Sequence, residues 1–126
     1  MRVAVYGTLK RWYGNHSVMI QAWGELIATD DIEFESIKDV WYPCIKFKEW
    51  TNKFIQVEIY EVQDREPLDW LEWYTEWDPN NLYNLKEVTT AKWDKVFIYE
   101  YNWDIEDQSD DFYVDNFWWA RYYFWK

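Results

Sequence analysis

Apolar and polar positions alternate most cleanly in "KFIQVEIYEV", residues 53–62. Phe54, Gln56, Glu58 and Tyr60 fall on one side, and Ile55, Val57, Ile59 and Glu61 on the other. That period of two, with so many β-branched residues, predicts a central strand. Val3 to Tyr6 reads as a first short strand stopped by Gly7. Asn15 or Ser17 caps a short helix through Met19, Ile20 and Trp23, with Gly24 just past its end. Residues 25–35 read as extended, with Leu26, Ile27, Ile32 and Phe34 arranged around a bend at Asp30-Asp31. "VWYPCIKF" (40–47) is a strand interrupted at Pro43, which cannot donate to a ladder and so marks a turn or a sheet edge.

The clearest helix pattern follows. Asp64 is a good N-cap, Glu66 and Pro67 suit a first turn, and Leu68, Trp70, Leu71, Trp73 and Tyr74 supply an apolar side. "TEWDPNN" (75–81) ends it as the strongest turn signal in the chain. "LYNLKEVTTAKW" (82–93) and "KVFIYEYNW" (95–103) read as paired strands joined near Asp94, and "DIEDQSDD" (104–111) as a solvated acidic loop. From Phe112 to Trp125 the chain is too aromatic for periodicity to separate helix from strand. The sum is a single α+β domain over residues 1–126, with no internal repeat or linker: a small mixed β-barrel or curved sheet with short flanking helices. The element order does not fit a doubly wound nucleotide fold, and "GTLKRWYG" lacks the glycine spacing of a phosphate loop.

Composition narrows the partners. The 126 residues carry 24 Asp and Glu against 13 Lys and Arg, a formal charge of −11. A field of that sign repels phosphate backbones and anionic headgroups, so neither nucleic acid nor a membrane surface is an expected partner. Twelve tryptophans come without the basic track of a base-stacking platform, and core and groove packing is the expected use. Cys44, the one cysteine, has no partner for an internal disulfide and gives no cysteine-based zinc site, so a reducing compartment is the default. No apolar leader precedes the first strand and no run approaches a membrane span, which makes a soluble, cytoplasmic protein the expectation.

Two stretches carry candidate chemistry. In "VAVYGTLKRWYGNH" (3–16) a strand breaks on Gly7-Thr8. This is either an ordinary turn or a cradle of backbone N–H groups for an anion, where glycine leaves room for close approach. His16, the only histidine, is a candidate catalytic group or a helix cap. In "LDWLEWY" (68–74) helical spacing puts Glu72 on the same side as Leu68 and Leu71. A carboxylate flanked by Leu, Trp and Tyr loses hydration, which raises its pKa toward the range of a general acid–base; the other reading is an edge residue that snorkels to water.

The opening stretch resembles that of the γ-glutamylcyclotransferase-like family: a strand, Tyr-Gly-Ser/Thr-Leu, a short basic stretch and then Asn. "YPCI" (42–45), "VEIYEV" (57–62), "LDWLEWY", Tyr83 and "VFIYEY" (96–101) resemble further family elements in the same order, and by motif the closest subgroup is the γ-glutamylamine cyclotransferases. The resemblance implies a small mixed barrel with a cavity and no metal or organic cofactor. It implies a small-molecule γ-glutamyl substrate, held by the backbone of Tyr6, Gly7, Thr8 and Leu9, with Glu72 as general acid–base and Tyr99 lining the cavity. The implied reaction closes the γ-glutamyl group to 5-oxoproline and releases an amine. Three positions depart from the family pattern: Val57 and Trp12 stand where glycine is usual, and Leu85 where arginine is common. Two rival functions stay beside the enzyme: a non-catalytic module holding a small anionic metabolite or peptide end in the same cavity, and an interaction protein using its aromatic residues 112–126.

Overall fold

The computed structural model describes residues 1–6, 20, 24–39, 43–64, 83–107 and 122–124. These contain seven strands: β1 (Arg2–Val5), β2 (Glu25–Asp39), β3 (Pro43–Phe47), β4 (Lys53–Glu61), β5 (Tyr83–Thr89), β6 (Lys95–Tyr101) and β7 (Tyr122–Phe124). They form one sheet in the order β3-β2-β4-β1-β6-β5, with β7 added on β4. The expected early helix (apart from Ile20) and the mid-chain helix (apart from its cap Asp64) lie outside the described residues. So do Trp12 and His16.

β2 is the longest of the described strands because it serves two partners. Its first part pairs with β4 from Glu25↔Glu61 to Glu33↔Phe54, and its last part with β3 from Phe34↔Phe47 to Asp39↔Pro43. Register shifts at Leu26/Ala28 and Phe34/Ser36 mark where it bends, since an irregular residue raises local twist. The expected bend at Asp30-Asp31 falls instead inside an unbroken stretch of ladder. β3 begins at Pro43 and lies at the sheet's edge, where a residue without an N–H is tolerated.

The alternation of β4 is realised as read. Ile55, Val57 and Ile59 join Ala4, Tyr6, Ile32, Phe34, Ile37, Ile45, Phe47, Val96 and Ile98 in one core inside the curved sheet. On the opposite face Tyr60 joins Val3, Val5, Val62, Tyr83 and Tyr99 in a second, smaller cluster. The sheet curls until its two ends meet through side chains. Lys46 Nζ donates to the Tyr101 carbonyl at 2.8 Å, the Phe47 N–H to Glu100 Oε2 at 2.8 Å, and Lys86 Nζ to the Phe47 carbonyl at 2.9 Å. The result is a nearly closed barrel.

The β5–β6 hairpin turns over Thr90–Asp94, so the strand read to Trp93 stops at Thr89. Thr90 N–H donates to the Asp94 carbonyl (2.8 Å), and Trp93 N–H to the Thr90 carbonyl (2.9 Å). This is a type I turn closed by a residue in the left-handed region, the place normally given to Gly or Asn. Trp93 occupies it at φ 66°, and in the β3–β4 turn Trp50 and Asn52 hold φ 66° and 60°. The acidic stretch after β6 is only partly solvated. Asp104 and Glu106 are exposed, but Asp107 accepts the Ile37 N–H (3.1 Å) and pairs with Lys53 at 2.8 Å.

Candidate active site

β4 presents one edge to two different strands. β1 covers Glu58 to Glu61, ending with Val5↔Glu58, and β7 covers Lys53 to Ile55, starting with Ile55↔Tyr122. Among the described residues neither strand supplies a register partner for Gln56 or Val57, and β1 ends there at Val5, one residue before Tyr6. Of the expected binding loop, Tyr6 is described; Gly7, Thr8 and Leu9 lie outside the described residues, as does Glu72, in the connection between β4 and β5.

Tyr6 is 7% exposed. Its ring lies 5.8 Å from that of Phe47, inside the barrel. Its hydroxyl donates to the carbonyl of Tyr99 at 2.9 Å, a buried bond to β6, the direct parallel neighbour of β1. The two tyrosines are therefore joined through a backbone carbonyl, while their rings occupy opposite faces. Ile98 points into the barrel core and Tyr99, the next residue, into the second cluster, as strand geometry requires.

The departures from the family pattern have a physical setting. Val57, wholly buried, fills the barrel interior directly opposite Asp30. Leu85 stands opposite Tyr99 on the other face and packs on the second cluster. Two carboxylates deserve naming beside those expected. Asp30 is 5% exposed, and its Oδ1 accepts the Asp31 N–H at 2.7 Å; its alternation with Ile32 and Phe34 was the available signal that it faces inward. Glu58, opposite the last residue of β1, accepts the Tyr60 hydroxyl at 2.9 Å. Among the described residues no three His, Cys, Asp or Glu side chains gather as metal ligands, and no helix is long and apolar enough to cross a membrane.

A family model described as gamma-glutamyl cyclotransferase, AIG2-like, matches residues 3–121. Among solved structures, an uncharacterised protein from Pyrococcus horikoshii is 26% identical with a TM-score of 0.60, the match covering 85% of this chain and 82% of that one. An AIG2-like protein from Mus musculus shares the fold at 21% identity and TM-score 0.57, covering 82% and 78%. So does a uropathogenic Escherichia coli-specific protein, at 19% identity and TM-score 0.59, covering 79% and 77%. No curated protein matches the chain.

Proposed function

The chain belongs to the gamma-glutamyl cyclotransferase, AIG2-like family, and from that premise we propose that it cyclises a γ-glutamyl group to 5-oxoproline and releases the attached amine. The observation that carries the reading is the extent of the family match: residues 3–121 take in Tyr6, Gly7, Thr8, Leu9, Glu72 and Tyr99 together.

The reaction is intramolecular. The α-amine attacks its own γ-carbonyl, the C–N bond of the lactam forms, and the bond to the leaving amine breaks. Because nucleophile and electrophile are tethered, the protein's task is to hold the folded conformer in which they meet. In this reading the backbone N–H groups around Gly7 and Thr8 hold the substrate's α-carboxylate or the carbonyl oxygen as charge grows on it. Glu72 takes a proton from the ammonium, since only the neutral amine is nucleophilic, and returns one to the departing nitrogen. Tyr6, fixed through its hydroxyl to β6, gives the loop a rigid start.

The test is incubation with a panel of γ-glutamyl compounds (α-linked amines, ε-linked lysine and glutathione-like peptides), following 5-oxoproline by mass spectrometry. Lactam from at least one supports the proposal; none from any member sinks it. A second reading, a module that binds without turnover, is favoured by Val57 and Leu85, which put packed hydrocarbon where the family pattern has glycine and arginine. Calorimetric binding of a γ-glutamyl compound without lactam release would select it.

A further inference from the structure

Two tryptophans stand in solvent on turns next to a cleft whose lining includes none of the residues assigned to the proposed reaction. The cleft, ≈170 Å³, lies between β2 and β5, which do not pair with each other, beside the end of β3. Its apolar lining is half-buried Val88 over the buried core residues Ile32 and Phe47, and Glu33, Glu49 and Glu87 contribute carboxylates. The β3–β4 turn borders it through Glu49, next to Trp50; the β5–β6 turn begins just past Thr89, another lining residue, and carries Trp93. Trp50 is 87% and Trp93 84% exposed.

Both turns are tied to the same part of β2. Glu33 Oε2 accepts the Thr51 and Asn52 N–H groups at 2.9 and 3.1 Å, and Thr51 Oγ1 donates to the Phe34 carbonyl at 2.7 Å. From the other hairpin, Ala91 N–H donates to the Asp31 carbonyl at 2.8 Å and Lys92 Nζ to that of Thr29 at 3.1 Å. Asp31 and Glu33 are about 7 Å apart along a strand, so the two turns flank one short stretch of backbone. Each tryptophan also holds φ 66°, a conformation in which a Cβ is crowded. Two separate turns thus each combine a disfavoured backbone with an unburied indole at the rim of one cleft. The hairpin turn accounts for the backbone at Trp93 but not for an unburied indole there, and tryptophan is among the side chains enriched at contact sites.

We propose that the rim of this cleft docks a basic segment of another protein, with an arginine or lysine head against the exposed Trp50 or Trp93 indole and close to the exposed Glu49 and Glu87 carboxylates. Tryptophan is the strongest cation–π partner among the side chains. The charges agree. Lys48 and Lys86 also line the cleft, but Lys86 is committed to the Phe47 carbonyl and to Glu100, and the chain as a whole carries −11. That field draws in a cation and opposes a second copy of the same chain.

The experiment titrates the whole protein with a capped, arginine-containing Gly/Ser peptide, by calorimetry and by the indole N–H signals in NMR. The same peptide with glutamine at each arginine is the control. The expected result is binding of the arginine peptide that weakens with salt, weaker binding of the control, and a roughly tenfold loss for Trp50→Gly or Trp93→Gly. Glycine suits both positions, so the variants keep the fold, checked by thermal melting. Equal binding of the two peptides, no binding of either, or binding untouched by both substitutions overturns the proposal. So does sedimentation showing tryptophan-dependent self-association in place of peptide binding.

Discussion

The hydroxyl of Tyr6 donates to the carbonyl of Tyr99 across 2.9 Å in a buried setting. The bond joins the first residue after β1 to β6, and so fixes Tyr6, the residue before Gly7. Tyr6→Phe keeps the ring against Phe47 but leaves the carbonyl without this donor. The expected cost is about 1–3 kcal/mol, the usual penalty for stranding a buried polar group, read as a lower denaturation midpoint with an unchanged slope. A variant as stable as the wild type would mean that the bond does not anchor the loop.

If Glu72 is the proton carrier of the proposed reaction, Glu72→Gln removes that function while nearly keeping the side chain's size. Turnover is expected to fall roughly 10²- to 10⁴-fold with the melting temperature nearly unchanged, measured as 5-oxoproline release from the best substrate of the panel. Lactam formation at the wild-type rate would take Glu72 out of the mechanism.

Glu100 holds the seam of the barrel. Its carboxylate accepts the Phe47 N–H at 2.8 Å and lies 3.3 Å from Lys86 and 3.9 Å from Lys46. Glu100→Ala strands that N–H and is expected to lose about 2 kcal/mol; Glu100→Gln retains an acceptor and loses about half as much. Urea denaturation of the pair separates the hydrogen bond from the charge. Equal losses would place the effect in the charge.

Val57→Gly opens a void in a fully buried position and loosens the unfolded chain. Stability is expected to fall by about 2–4 kcal/mol, the sum of a large-to-small core change and the backbone entropy of glycine. If Val57 also narrows the substrate cavity, the variant accepts a wider set of γ-glutamyl compounds in the same panel. An unchanged substrate range would confine Val57 to packing.

Most of the sheet was legible because its strands alternate. Ile55, Val57 and Ile59 separate from Tyr60 along β4, and Pro43 marks an edge. Asp30-Asp31 carries a turn signal as a pair of acids, but Asp30 accepts its neighbour's N–H and faces inward within the ladder. Trp93 hid the end of β5, since a bulky aromatic is the wrong residue for a left-handed turn position and the usual Gly or Asn was missing. β7 had no readable period among its aromatic neighbours; only its pairing with β4 identifies it. For the site, Tyr6 and Tyr99 were legible as candidates, but local pattern cannot say that a hydroxyl on one strand meets a carbonyl on another.

β4 is completed along one edge by two segments that leave the ribosome at very different times. At cellular translation speeds roughly 3–14 s separate the emergence of Lys53–Ile55 from that of β7. Over that interval the Lys53–Ile55 half of the edge waits for a mate, and any nascent chain of this protein is open there to capture by a chaperone or by a neighbouring nascent chain.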